Sequence, residues 1–354
     1  MAVSRTWLVA LVAMASVFVS GSTVVSPAGA AERAVLIPGA TVFKRINPIY
    51  PIIAATYPYI GIDFHADDHP QVVDYSQDAL ASDRALRDGV AKADIAVRDV
   101  DGPVVVIGES MGSMVASRLA AQLAASSEPP AQNELRFVLI ASPEEGVAQY
   151  FKVGTFIPIL NYRVRRVAQS PYPTAVVIGE YDGWADPPDR PWNLVALANA
   201  LFGVLYVHGP PSWFIDPADA PAENITVNGN VTTYFVPTEH LPLTRPLRDI
   251  GVPAPVVDLA DRFLRPVVDA GYRRHDEPGD TRPYLADGEI QRGAALPQIP
   301  DRRRREDADT ERRPHLGRQE PLADGRRAEM RQRRASESTA RETRRQSAER
   351  AGVS

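Results

Sequence analysis

The segment VVVIGESMGSMVASRLAAQL, residues 104–123, constrains the fold more than any other part of the chain. An apolar run that suits a buried strand ends at Gly108-Glu109-Ser110-Met111-Gly112, and helix-spaced apolar residues follow at once. The pentapeptide fits the pattern G-x-S-x-G, in which the glycines leave room for a serine held in strained geometry where a strand becomes a helix. The segment therefore predicts a nucleophile elbow with Ser110 at its tip. The alternative is an ordinary strand-to-helix turn.

Apolar strands and amphipathic helices alternate along most of the chain. Strands are predicted at residues 34–37, 59–64, 104–107, 135–141 and 174–181, and helices at residues 78–97, 111–125 and 192–202. Continuous Val/Ile/Leu strands separated by helices indicate a mainly parallel sheet with helices on both faces. We expect a single α/β domain over residues 33–272.

Two other segments of this domain have their own patterns. Residues 143–173 form an insertion whose apolar side chains suit either a lid, with a wall for an acyl chain, or ordinary core; they are Tyr150, Phe151, Phe156, Ile157, Ile159 and Leu160. Residues 227–236 carry Asn228-Gly229 near their start, which predicts a β-hairpin.

The chain begins with the three parts of a secretory signal peptide. Arg5 supplies a positive start, residues 7–19 form an apolar core, and residues 28–31 offer small side chains for cleavage. The core has thirteen residues, short for a membrane span, which needs roughly twenty. Cleavage is therefore favoured over an uncleaved anchor. We expect residues 1–31 to be removed and the mature protein to be secreted or held in the cell envelope.

Composition excludes several kinds of chemistry and partner. The chain has no cysteine, so disulfides, zinc–thiolate sites and thiol nucleophiles are ruled out. A net charge of −5 gives no general electrostatic reason to bind nucleic acid. Residues 301–354 hold 16 arginines against 11 acidic residues and almost no aromatic or β-branched ones, so they cannot offset their ordering entropy. We expect residues 273–354 to be a disordered, polar, Arg-rich tail.

A serine nucleophile needs a base, and the base needs a carboxylate to orient it. In this architecture the chain order is serine, acid, histidine. Asp182 follows the strand predicted at 174–181; its other interpretation is a turn residue before glycine. Two histidines follow within the domain. His208 ends the apolar run 204–207, interpreted as a strand, and His240 lies in a later loop. The residues themselves leave either one, or neither, as the base.

An oxyanion hole needs two backbone N–H groups directed at the developing negative charge. Met111 supplies one of them if the elbow forms. The second is expected from the turn after the first strand, at Ala40 or Thr41, because Pro38 has no N–H.

Several motifs together resemble a known family. They are GESMGSMVA, YPTAVVIGEYDGWADPPDRPWNLVALANAL, YVH and TTYFVPTEHLPLTRPLR. Over roughly residues 35–272 the chain is similar to the PE-PPE C-terminal domain, a serine α/β-hydrolase family of mycobacteria and their relatives. The resemblance implies a cutinase-like α/β-hydrolase fold. Carried over by motif, it puts the nucleophile on Ser110, the acid on Asp182 and the base on His208, with His240 as the alternative.

The resemblance also implies a function. Members are related to cutinase-like esterases, and some are envelope acyltransferases that build acylated trehalose lipids. We therefore expect an esterase or acyltransferase that needs no cofactor or metal and acts on acyl-ester lipids or glycolipids, with a sugar such as trehalose as an acceptor. Where relatives carry a helical PE or PPE module, a signal peptide stands here, so general secretion and peripheral envelope association are expected. The alternatives are a catalytically silent lipid- or glycan-binding protein, and a surface adhesin acting through its Arg-rich tail.

Overall fold

A seven-stranded sheet forms the centre of the protein. The computed structural model describes residues 31–292 except Phe43 and Arg45. The strands of the sheet are β1 Arg33–Ile37, β2 Gln71–Val72, β3 Val104–Glu109, β4 Leu135–Ile140, β7 Thr174–Gly179, β8 Ile225–Asn228 and β9 Val231–Val236. In spatial order the sheet is β2-β1-β3-β4-β7-β9-β8, and every neighbouring pair is parallel except β8 and β9. Two small hairpins add β5 Phe156–Ile157 with β6 Tyr162–Arg163, and β10 Tyr284–Ala286 with β11 Glu289–Gln291.

Within the described residues, six α-helices and several short 3₁₀ turns connect the strands. The helices are α1 Tyr50–Ala54, α2 Ser82–Arg98, α3 Met111–Ala124, α4 Leu194–Tyr206, α5 Arg245–Asp249 and α6 Ala254–Asp269. Successive residues of a strand point to opposite faces of the sheet, so their side chains pack in two different hydrophobic cores. Val35 and Ile37 of β1 pack in the core that includes α2 and α3, whereas Ala34 and Leu36 pack in a second core. Both faces of the sheet are therefore buried, which confirms the predicted α/β class.

Two predicted strands are wrong. Residues 59–64 lie in a pair of 3₁₀ turns separated by Gly61 at φ +61°, and the strand beside β1 is instead the short β2. Residues 204–206 are the last turn of α4, so the apolar run before His208 ends a helix rather than a strand. In apolar runs this short, the spacing of the apolar residues cannot distinguish a strand from a helix.

The hairpin predicted around Asn228-Gly229 is confirmed. Antiparallel pairing joins Asn228 to Val231 and continues to Ile225 and Tyr234. Gly229 takes φ +60° in the two-residue connection, a conformation that favours glycine.

The insertion at residues 143–173 covers one edge of the larger core. Phe151, Ile157 and Leu160 are half-buried and pack against that core. Phe156 and Ile159 remain exposed. The insertion thus serves as ordinary core along one side, while its other side stays available to solvent.

The domain continues beyond the predicted boundary at residue 272. The β10–β11 hairpin is anchored because Arg190 forms a bidentate ion pair with Asp276 and the Leu285 N–H donates to the carbonyl of Asp189. Tyr284 is buried. The expectation that the tail starts at 273 is therefore wrong for residues 273–292. They pack against the domain through contacts with residues that are distant in the sequence. The predicted signal peptide and the Arg-rich segment 301–354 lie outside the described residues.

Among the residues that the structure describes, no helix combines the length and apolar character needed to cross a membrane.

Candidate active site

Ser110 stands at the turn between β3 and α3 in strained backbone geometry. Its φ is +53° and its ψ is −119°, a conformation that side-chain-bearing residues rarely adopt. A Cβ on Gly108 would lie 2.2 Å from the Gly112 carbonyl oxygen, and one on Gly112 would lie 1.9 Å from the Ile37 carbonyl oxygen. Both glycines are therefore required by close backbone contacts. This is the geometry of a nucleophile elbow.

The structure brings His208 to Ser110 and Asp182. The His208 Nε2 atom lies 2.8 Å from Ser110 Oγ, and its Nδ1 atom lies 2.9 Å from both carboxylate oxygens of Asp182. His208 follows α4 directly, and its backbone N–H donates to the Gly203 carbonyl. A Cβ on Gly203 would lie 1.8 Å from the Tyr181 carbonyl oxygen, so this glycine lets α4 lie against the loop that carries Asp182.

Asp182 is fully buried and its carboxylate is held in place. The backbone N–H groups of Trp184 and Ala185 both donate to its Oδ1 atom, at 2.9 and 3.1 Å. These two hydrogen bonds and the contact with His208 satisfy a charge that burial would otherwise make costly. The carboxylate is thereby aimed at the imidazole.

The electrostatics of the site act on the proton of His208. Burial by itself would lower the pKa of His208, but the Asp182 carboxylate, helped by the charge of Glu109, raises it above the ordinary value. An imidazole bonded in this way can accept a proton from the serine hydroxyl at Nε2, while the resulting positive charge is stabilised at Nδ1.

The loop after β7 is braced by a largely buried arginine. Asp186 accepts the Tyr181 N–H at 2.7 Å and an N–H of Arg274 at 2.8 Å, and the Arg274 guanidinium also lies 3.6 Å from Glu180. Burial raises the pKa of Asp186 to about 7, although Arg274 acts in the opposite direction. Arg274 therefore stabilises the two buried carboxyl groups on either side of Asp182.

One of the predicted oxyanion-hole residues is wrong. The Thr41 N–H donates to the Gln77 carbonyl at 2.8 Å, so it is not available to a substrate. Met111 is the first residue of α3, where the backbone N–H has no partner within the helix. Among the described residues, the Ala40 N–H likewise has no partner, and Ala40 is exposed. Met111 and Ala40 thus remain as the two predicted donors.

Glu109 is a residue of the site that the sequence analysis missed. It is 2 % exposed, and its Oε1 atom has no hydrogen-bond partner among the described residues. Burial raises its pKa, against the opposing effects of His208 and Trp213, while the charge of Asp182 adds to the rise. Its position could have been noticed, because it is the acidic residue between the buried strand and Ser110 in GESMG.

His240 lies in a different cluster. Its Nδ1 atom is 3.1 Å from an Arg248 nitrogen and 3.3 Å from Asp261, and Arg248 also pairs with Asp258 at 2.6 Å. His240, Asp258 and Asp261 place their ligand atoms within 4.8 Å of one another, an arrangement that a cation could use. The guanidinium of Arg248 already lies among them and offsets part of the negative charge of the two carboxylates.

The fold and the site define a class of protein. A mostly parallel sheet, a strained serine between β3 and α3, an aspartate after β7 and a later histidine are the features of the α/β-hydrolase fold. The chain belongs to the PE-PPE domain family, which it matches over residues 56–273. The family suggested by the sequence motifs is thereby confirmed.

Several mycobacterial proteins are similar to this chain, all from Mycobacterium tuberculosis. The PPE family protein PPE63 is 44 % identical over 191 residues, which are 53 % of this chain and 40 % of that protein. Diacyltrehalose acyltransferase Chp2 is 38 % identical over 60 % of this chain and 62 % of its own length. SL1278 acyltransferase Chp1 is 32 % identical over 70 % and 66 %. The chain therefore spans less than two thirds of each of these relatives.

Among solved structures, an esterase of Pyrococcus furiosus, Pf2001, is similar at 14 % sequence identity. The match covers 66 % of this chain and 81 % of the esterase, with a TM-score of 0.26.

Proposed function

We propose that this protein is a secreted serine esterase or acyltransferase that acts on acyl esters of cell-envelope lipids, with Ser110, His208 and Asp182 as its catalytic triad. The observation that carries the proposal is the continuous contact from Ser110 Oγ through the His208 ring to the Asp182 carboxylate. This contact joins residues that are 98 and 26 positions apart in the sequence.

The first half of the reaction forms an acyl-enzyme. Ser110 Oγ attacks the ester carbonyl carbon while His208 Nε2 takes the hydroxyl proton. The carbonyl oxygen becomes negatively charged and accepts the N–H groups of Met111 and Ala40. When the carbon–oxygen bond to the alcohol breaks, His208 returns its proton to the departing oxygen. Asp182 holds the imidazole in the required tautomer throughout.

The second half depends on the acceptor. Water or a sugar hydroxyl enters, gives its proton to His208 Nε2 and attacks the acyl carbon, after which Ser110 Oγ leaves and recovers the proton. Hydrolysis and acyl transfer differ only in this acceptor, so the same three side chains serve both.

The relatives support a lipid substrate. Chp2 is named a diacyltrehalose acyltransferase and Chp1 an SL1278 acyltransferase. We extend this chemistry to the present chain as acyl transfer to or from a glycolipid, with a sugar such as trehalose as the acceptor. The N-terminal pattern of residues 1–31 supports action outside the cytoplasm.

An active-site probe tests the proposal directly. We expect a fluorophosphonate to label the full-length protein and to leave the Ser110→Ala variant unlabelled. Esters of graded acyl length, supplied with and without trehalose, then distinguish hydrolysis from transfer by their products. A folded protein that neither reacts with the probe nor cleaves any ester would instead favour a catalytically silent lipid- or glycan-binding protein.

A further inference from the structure

The turn after β1 runs from Pro38 to Thr41 and is called the oxyanion turn below. Backbone groups before and after Ala40 in this turn form hydrogen bonds to residues elsewhere in the fold. The Pro38 carbonyl accepts the Tyr75 hydroxyl at 2.7 Å, and the Gly39 carbonyl accepts Nε2 of Gln77 at 3.0 Å. The Thr41 N–H donates to the Gln77 carbonyl at 2.8 Å.

Gln77 thus holds the turn twice. Its side chain bonds to the residue before Ala40, and its main chain bonds to the residue after Ala40. Between these two anchors the Ala40 N–H is left without a partner among the described residues. Because Ala40 is exposed, this N–H is open to solvent and can donate to the oxygen of a bound ligand, as the second donor of an oxyanion hole must.

Gln77 is itself held under strain. It is 1 % exposed and adopts φ +54°, a left-handed conformation that is unfavourable for a residue with a side chain. Its Nε2 also donates to the Tyr57 hydroxyl at 3.2 Å, and its Oε1 accepts the Tyr50 hydroxyl at 3.4 Å. The two bonds donated by Nε2 fix its direction toward the Gly39 carbonyl, whereas the bond from Tyr50 is long and weak.

The other side of the turn presses on the elbow. A Cβ on Gly39 would lie 2.3 Å from Oε2 of Glu109 and 3.0 Å from the Ser110 Cβ. Gly39 thus lies too close to Glu109 and Ser110 for even a methyl group to fit between them, and the two bonds of Gln77 hold the turn in this position. The position of the Ala40 N–H relative to Ser110 is thereby defined from both directions.

We propose that Gln77 is a positioning residue for catalysis, which clamps the oxyanion turn so that the Ala40 N–H faces the reacting carbonyl oxygen. The inference rests on the proposed esterase or acyltransferase function. Gln77 does not touch the reacting atoms, and it acts through Ala40. The hydrogen bond from the Ala40 N–H to the substrate carbonyl oxygen strengthens as that oxygen gains negative charge in the transition state. Loss of the clamp should therefore lower kcat more than it changes KM.

The test compares Gln77→Met with Tyr50→Phe. Methionine keeps the size of the side chain but cannot bond to the Gly39 carbonyl, whereas Tyr50→Phe removes only the outermost bond of Gln77. We expect Gln77→Met to lower kcat about 10- to 100-fold, which is less than the loss of a whole oxyanion donor. KM and the pH dependence should stay nearly unchanged, and affinity for a boronate analogue of the tetrahedral state should fall in parallel. Tyr50→Phe should stay within about threefold of wild type.

Two controls keep the outcomes distinct. Thermal unfolding checks that Gln77→Met folds; if it does not, Gln77→Gly is used, because glycine accepts φ +54° and retains the main-chain bond to Thr41. Ester turnover by the wild type that is lost in Ser110→Ala establishes the underlying function. With that in place, a folded Gln77 variant of wild-type kcat and boronate affinity overturns the clamp. An inactive wild type overturns the proposed function, and the clamp with it.

Discussion

The imidazole of His208 lies 2.8 Å from Ser110 Oγ although the two residues are 98 positions apart and are carried by different crossovers of the sheet. His208 is placed by the end of α4, and Ser110 by the elbow after β3. Gly203 contributes to this contact because it allows α4 to lie directly against the backbone at Tyr181. Its consequences can be measured.

The choice between two histidines gives the first prediction. We expect His208→Ala to lower kcat for ester cleavage by a factor on the order of 10⁴ to 10⁶, the same range as Ser110→Ala. The matched control is His240→Ala, which removes a ring bonded to Arg248 and should retain most of the turnover. If His240→Ala were as inactive as Ser110→Ala in a folded protein, the assignment of the base would be wrong.

The pH dependence of the reaction provides the second prediction. His208 must be neutral to accept a proton, so kcat/KM should fall as the pH drops through its pKa, which Asp182 and Glu109 together raise. Glu109→Gln keeps the shape but removes a negative charge that favours the imidazolium. The pKa of His208 should then decrease, and the acidic limb of the profile should move to lower pH.

The control for this shift is Glu145→Gln. Glu145 is also an acidic residue whose pKa is raised by burial, but the groups that act on it are Glu144 and Arg166 rather than His208. The acidic limb of the kcat/KM profile of Glu145→Gln should coincide with that of the wild type. An unmoved limb in Glu109→Gln would show that Glu109 carries no charge that acts on the base.

Arg274 provides the third prediction, which concerns stability. Arg274→Met leaves Asp186 without its cation and Glu180 with only the more distant Arg265, at 3.9 Å, and breaking a buried ion pair from one side costs about 3–5 kcal/mol. Urea unfolding should report a loss in this range. Arg98→Met removes an exposed pair with Asp94 and should change the free energy of unfolding by less than about 0.5 kcal/mol. Equal losses in the two variants would contradict a bracing role for Arg274.

The insertion at 143–173 provides the fourth prediction. Phe156 is 46 % exposed, so Phe156→Ser should leave the fold intact. If this side chain contacts acyl chains, the variant should lose activity on long-chain esters far more than on acetyl esters. Ile157→Ser, at a half-buried position packed on the core, is expected to lower the unfolding temperature as well. A uniform loss on short and long esters after Phe156→Ser would assign the insertion a structural role.

The sequence alone determined those parts of the protein that depend on neighbours in the chain. The elbow at Ser110 could be predicted because the apolar strand, the two glycines and the apolar helix are consecutive. Asp182 could be placed after β7 for the same reason, and the β8–β9 hairpin because Gly229 suits its turn. The family motifs then selected His208, although the strand assumed before it is the end of α4.

Tertiary structure decided everything that depends on contacts between distant segments. Thr41 was excluded as an oxyanion donor by a bond to Gln77, 36 residues away, and no local pattern signals such a bond. No local pattern signals the close approach of Glu109 to Gly39 either. Residues 273–292 have the polar composition of a disordered tail, but contacts with Arg190 and Asp189 hold them against the domain. Local sequence pattern indicates most of the strands and helices, but it contains no information about which buried polar group will bond to which partner. That pairing is set by the packing of the whole sheet and its crossovers.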